Sequence, residues 1–246
     1  MCNALTYPKP PRLPTPLRYF DRCMLCLYVE GYRASMRKLF SSLLDSNVTS
    51  VLVVDDDAIF SCLFSQDLRK LLKEPRCGLH VSPEAPQGGV LMLGASVWLN
   101  GSYPLRGPWM SGWNVIDEDL RRTAESLARV VHHGPTCFNV PSKVMGSFAV
   151  LYHRDVFRPI IDWIDHSSRP FDHVFEALAD LGIIVRAAYP SLVVQDLQHE
   201  SSVDPSRKGQ QDMTVRSRAH RWQLDKMCNP RTNRALVSRF RARKAA

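Results

Sequence analysis

Along the first half of the chain the spacing of apolar residues changes several times, and each change marks an element. In "CMLCLYVEGYRASMRKLFSSLLDSN" the residues Met36, Leu39, Phe40, Leu43 and Leu44 recur at helical spacing, so the segment is largely helical. "TSVLVVDDD" follows, a short continuous apolar run of the kind expected for a strand covered on both faces. "FSQDLRKLLKE" returns to helical spacing, and "GGVLMLGASVW" supplies a second buried strand. Strand, helix, strand at this spacing predicts a parallel sheet in an α/β domain.

Farther on, "GSFAVLYHRDVFRPIIDWIDHS" predicts a strand leading into a helix, and "FDHVFEALADLGIIVRAAYPSLVVQD" a helix and then a strand. Between the two halves the pattern breaks down. Leu99 to Pro141 holds Trp109, Trp113 and the turn-rich "NGSYPLRGPWMSGWN", then the helical pattern "DEDLRRTAESLARVVHH", a combination that suits a loop over a site. Residues 1–20 form a stiff leader with Pro8, Pro10, Pro11, Pro14 and Pro16. One α/β domain is expected over residues 21–205, and residues 206–246 are polar and arginine-rich, with poor order expected.

Composition changes this picture in three places. At 45% hydrophobic and 23% charged residues the chain is that of an ordinary soluble globular protein, and no apolar run approaches the roughly 20 residues that span a bilayer. The proline-rich start does not read as a secretory signal. Seven cysteines, an odd and scattered set, favour reduced thiols and a cytoplasmic location. Cys23 and Cys26 form a lone C-x-x-C inside an apolar pattern and are read as structural. The sequons at Asn47 and Asn100 matter only if the chain enters the secretory pathway. The net charge of +8 belongs to the tail, where 12 Lys and Arg stand against Asp212 and Asp225. That tail, with Trp222 and Phe240 among its arginines, suits contact with an anionic surface or a nucleic-acid backbone.

The candidate chemistry lies in Asp55, Asp56 and Asp57, three carboxylates at the end of an apolar strand. Alternation along a strand gives Asp55 and Asp57 one direction and Asp56 the other. At the carboxyl end of a strand in an open α/β sheet such a pair lies where ligands bind, and two hard oxygen donors suit Mg²⁺ or Mn²⁺. A receiver domain requires a phosphoacceptor aspartate ending a later strand, but "GGVLMLGAS" ends in Gly94, Ala95 and Ser96. A haloacid-dehalogenase-type phosphotransferase expects a small hydroxylated or β-branched residue soon after the acidic pair, where this chain has Ala58 and Ile59. The third possibility is the D-x-D of nucleotide-sugar transferases, whose carboxylates hold a divalent ion against the donor diphosphate.

In order along the chain, "VLVVDDDAIF", "GVLMLGAS", "VMGSFAVLYHRDVFRPII", "RPFDHVFEAL" and "AAYPSLVVQDLQHESSV" resemble the lipooligosaccharide and procollagen galactosyltransferases of glycosyltransferase family 25, over residues 32–203. The resemblance implies a GT-A-like (Rossmann-like) mixed, mainly parallel sheet flanked by helices. It implies a metal-dependent, inverting transfer of a hexose, galactose or glucose, from a UDP-sugar donor to a glycan, lipid-linked or protein hydroxyl acceptor. Under it Asp55 and Asp57 hold Mn²⁺ or Mg²⁺ with Asp56 in support, and His199 adds a metal ligand. Asp172 faces the acceptor hydroxyl as catalytic base, though it could equally serve as a helix N-cap. Gly146 and Ser147 lie beside the donor sugar, and Gln195 and Asp196 stand behind the metal ligands.

The chain departs from the family's pattern before the triplet, where only 54 residues precede Asp55 and a nucleotide-binding strand is expected. Tyr28 or Tyr32 could serve an altered pocket. The competing class is a noncatalytic relative that binds a partner through its basic tail. Residues 21–31 separate the two: a strand beside "SVLVV" permits a nucleotide pocket, whereas an outer helix weakens the enzyme reading.

Overall fold

The fold was read from a computed structural model that describes residues 16–75, 77–79, 89–96, 135–139, 145–196 and 223–228. The elements are helix α1 (Pro16–Leu44), strands β1 (Ser50–Val54) and β2 (Ala58–Phe60), and helix α2 (Phe64–Lys73). Strands β3 (Val90–Ser96), β4 (Thr136–Asn139) and β5 (Met145–His153) follow. The chain then forms α3 (Phe157–His166), a 3₁₀ turn Phe171–His173, α4 (Val174–Asp180), β6 (Val185–Tyr189), β7 (Val193–Gln195) and a last 3₁₀ turn Leu224–Lys226.

Five strands make one sheet in the order β1-β5-β3-β6-β4, and β2 and β7 make a second, antiparallel pair. The sheet is mixed, as expected, but mainly antiparallel where a mainly parallel one was expected. Among the described residues only β3 and β6 pair in parallel, while β1–β5, β3–β5 and β4–β6 are antiparallel. β1 and β3 do run the same way, but β5 lies between them and pairs antiparallel with both.

The continuous apolar run of β3 is explained by burial on both faces. Val90 and Met92 join a core with Met36 and Phe40 of α1, Tyr152 of β5, and Phe157, Ile160 and Ile164 of α3. Leu91 and Leu93 face the other way, into a core with Leu71 of α2, Ile59 of β2, and Val193 and Val194 of β7. Helices α1, α3 and α4 thus cover one face of the sheet, and α2 with the β2–β7 pair covers the other. Gly94 makes the second layer possible. A Cβ there would lie 2.6 Å from both the Val193 carbonyl oxygen and the Phe148 ring, so β7 can cross only over a glycine.

Two arginines fix the helices at their ends. Arg154, just after β5, donates to the Leu44 carbonyl at 2.6 Å and to the carbonyls of Leu43, Ser46 and Val48, closing the C-terminus of α1. Arg33 of α1 is buried and donates to the Ile164 carbonyl at 2.6 Å, to the Arg169 carbonyl at 2.9 Å, and to the Ser167 carbonyl, closing the end of α3. A cation at a helix C-terminus satisfies carbonyls that lack intrahelical partners and complements the dipole. Arg154→Ala is expected to cost about 2–3 kcal/mol of stability, read as a lower urea midpoint with an unchanged slope.

Four of the seven cysteines correct the expectation of reduced thiols, which was the ground for the cytoplasmic placement. Cys62 is disulfide-bonded to Cys228, and Cys77 to Cys137. Near the first of these, a strap from Gln223 to Cys228 lies on the β2–β7 layer, with Leu224 and Met227 buried. The Cys62 N–H donates to the Lys226 carbonyl at 2.8 Å and the Cys228 N–H to the Phe60 carbonyl at 2.9 Å. The folded unit therefore includes a piece of the segment read as a basic tail. It also begins inside the proline-rich leader, because α1 starts at Pro16. Among the described residues no helix is long and apolar enough to cross a membrane. The segment read as a loop over a site lies mostly outside the described residues, apart from β4 at its end.

Candidate active site at the carboxylate turn

The three aspartates leave β1 and turn at once into β2. The Asp55 N–H still pairs with the Phe148 carbonyl of β5 at 3.0 Å, and the Ala58 N–H closes the turn onto the Asp55 carbonyl at 3.2 Å. Asp55 and Asp57 are half-buried and Asp56 is exposed, as alternation predicted, although the cause is a tight turn rather than continued strand.

Each half-buried carboxylate is met by a residue from far away in the chain. Gln195, at the end of β7, donates its amide Nε2 to Asp57 Oδ2 at 2.9 Å, and the Asp196 N–H donates to the Asp57 carbonyl at 2.7 Å. Asp57 Oδ1 is buried with no hydrogen-bond partner. On the other side Tyr32 of α1 donates its phenol hydrogen to Asp55, and Asp172 is close enough for its charge to act on both of them.

Asp172 does not cap the helix that follows it. Pro170 stands at the N-cap of the 3₁₀ turn and His173 at that of α4, neither with a side-chain cap bond. Instead Asp172 Oδ2 accepts from the Gly146 N–H at 3.2 Å. Gly146 is able to offer that N–H because its φ is 68°, a left-handed conformation that costs a side chain about 1–2 kcal/mol. Gly146→Ala is expected to lose that much stability in chemical unfolding and to loosen Asp172. A melting curve identical to the parent's would show that the backbone there is not strained by a Cβ.

The electrostatics are those of crowded, half-buried anions. Burial first, then the charges of Asp57, Asp172 and Asp56, push the Asp55 carboxyl up to about 7, against the opposing hydrogen bond from Tyr32. Burial also raises Asp57, with Asp56 adding to it, and here the Gln195 hydrogen bond opposes. The Tyr32 phenol is pushed up by burial and by the neighbouring carboxylates and stays protonated as a donor. Placing carboxylates together without a cation is unfavourable, as is leaving a buried carboxylate oxygen unpaired.

A divalent cation fits these two features. Among the described residues no three His, Cys, Asp or Glu side chains gather into a metal site of their own. Asp55 and Asp57 could hold such an ion only together with further ligands from outside this pair.

Of the residues named from sequence, Asp55, Asp57, Asp172, Gly146 and Gln195 come together around this turn, and Asp56 lies on its solvent side. Ser147 is described only as a strand position beside Ala95, and His199 lies outside the described residues. The tie from Tyr32 to Asp55 was not legible in advance. Tyr32 was named as a candidate for an altered pocket, but its bond to Asp55 depends on how α1 packs against the sheet, which leaves no trace in the sequence. No family model, curated protein or solved structure matches the chain.

Proposed function

We propose that the carboxylate turn is the donor site of a metal-dependent glycosyltransferase that moves a hexose from a UDP-sugar to a hydroxyl acceptor. The observation that carries this reading is the return of Asp172 and Gln195 to the Asp55–Asp57 turn from more than 100 positions along the chain. A solvated acidic turn has no need of either. Mn²⁺ or Mg²⁺ at Asp55 and Asp57 would supply Lewis-acid stabilisation of the departing diphosphate. Gln195 holds Asp57 by one oxygen and leaves the other, buried and unpartnered, for such an ion to use, while Tyr32 orients Asp55. Asp172, fixed by the Gly146 N–H, takes the proton of the acceptor hydroxyl as that oxygen attacks the anomeric carbon. The hexose and the inverting course follow the resemblance to family 25 enzymes, as do supporting roles for Asp56 and Ser147 and a metal-ligand role for His199.

Asp172→Asn keeps an acceptor oxygen for Gly146 and removes the base. It is expected to lower UDP release from UDP-galactose or UDP-glucose, with an acceptor panel present, by about 10²–10⁴-fold while UDP binding persists. Turnover equal to the parent's would remove Asp172 from this role.

A second reading draws on a separate observation. Residues 21–31 form part of α1 and not a strand, and β1 is an edge strand whose one sheet neighbour is β5. Among the described residues no upstream strand extends the sheet where the family's pattern has a nucleotide-binding strand, which favours a noncatalytic relative acting through its basic tail. That reading predicts no UDP binding with or without metal.

A further inference from the structure

The two disulfides and an exposed tripeptide make a joint case. Cross-links of this kind form and persist where thiols are oxidised, in the secretory lumen and outside the cell, and are rare among cytosolic proteins. Cys62–Cys228 and Cys77–Cys137 each join two separate parts of the fold, with sequence separations of 166 and 60. In a secretory setting Asn47-Val48-Thr49 is an acceptor sequence for an N-linked glycan.

The tripeptide is placed to receive one. Asn47, Val48 and Thr49 are all exposed, in the short link between α1 and β1. Their backbone is fastened on the protein side, since Arg154 donates its side chain to the Val48 carbonyl at 3.2 Å and its N–H to the Thr49 carbonyl at 2.8 Å. The link enters β1 at Ser50, and the carboxylate turn leaves the same strand at its other end. At about 3.3 Å per residue the two ends stand roughly 17 Å apart, so a glycan on Asn47 would leave the turn open.

We propose that Asn47 carries an N-linked oligosaccharide and that the chain matures in an oxidising secretory compartment. In the modification the Asn47 side-chain nitrogen attacks the anomeric carbon of a lipid-linked diphospho-oligosaccharide. A C–N bond forms, the C–O bond to the diphosphate breaks, the lipid diphosphate leaves, and one amide proton passes to a base of the transferring enzyme. The proposal is independent of what the carboxylate turn does.

The test is a peptide map of the full chain isolated from its native cell under non-reducing conditions. Peptide N-glycosidase digestion in heavy-oxygen water should convert Asn47 to labelled aspartate, and the same map should contain the Cys62–Cys228 cross-linked peptide. An Asn47→Gln chain should run faster by one glycan and keep the cross-link. Unmodified Asn47 in cross-linked protein would overturn the proposal, as would free thiols at Cys62 and Cys228. A glycan shift unchanged in Asn47→Gln would also overturn it, since the sugar would then be elsewhere.

Discussion

Asp55→Asn is expected to raise the thermal midpoint near neutral pH and, in the same molecule, to abolish metal-dependent binding of UDP. The first effect follows from the carboxyl being pushed up to about 7 by burial and by the charges of Asp57, Asp172 and Asp56. In the window between the ordinary carboxylate range and about pH 7, the folded protein keeps a proton on Asp55 that the unfolded chain has already released. Stability therefore falls as pH rises through that window, and above it the folded state bears the whole cost of a crowded anion. Asparagine cannot ionise, so the variant should melt higher than the parent at about pH 8 and close to it at about pH 4. The second effect has the opposite sign for function: the repulsion that destabilises the apo protein is what a cation relieves, and binding the cation expels the proton. Metal affinity of the parent should accordingly weaken as pH falls below about 7. Scanning calorimetry across this range checks the first effect. A midpoint lowered equally at both ends would mean that Asp55 is held by stabilising partners and not crowded.

The other large effect is expected from opening the Cys62–Cys228 cross-link. Its two ends lie 166 positions apart, so reduction releases a very long loop in the unfolded chain, and loss of such a bridge typically costs about 2–5 kcal/mol. The strap it holds buries Leu224 and Met227 and hydrogen-bonds to both Phe60 and Cys62. Cys62→Ser should lower the urea midpoint and speed hydrogen exchange first at the backbone N–H of position 62 and at Cys228. Because β2 follows directly on the carboxylate turn, UDP affinity should fall as well. An unchanged midpoint would mean that the strap's noncovalent contacts suffice to hold it.

The sequence announces its individual elements better than their neighbours. "GVLMLG" is legible as a strand because both faces of β3 are buried, and Met36, Phe40 and Leu43 are legible because α1 buries one stripe. The strand-helix-strand spacing correctly gives β1 and β3 a common direction. It cannot reveal that β5, starting 91 positions after β1 ends, pairs between them, because backbone pairing leaves no periodic trace in either strand. β4 is missed for a similar reason: "TCFN" is four residues long and an edge strand, too short to show alternation. The cysteine pairings are also invisible, since Cys62 and Cys228 meet only after the strap has folded back. In the site, the acidic triplet and Asp172 stand out as residue types in suggestive places. What brings them together is tertiary: a left-handed Gly146, the crossing of β7 permitted by Gly94, and Tyr32 reaching Asp55 from the expected helix.

The carboxylate turn is tested most directly by calorimetric titration of UDP into the purified protein, with and without Mn²⁺, repeated on Asp57→Ala. Asp57 is the better choice for truncation because one of its oxygens is held by Gln195 and the other is buried without a partner. Binding that requires Mn²⁺ and disappears in the variant, with the folded state retained, is the expected result. Absence of UDP binding in every condition, or binding that persists unchanged in Asp57→Ala, would contradict it.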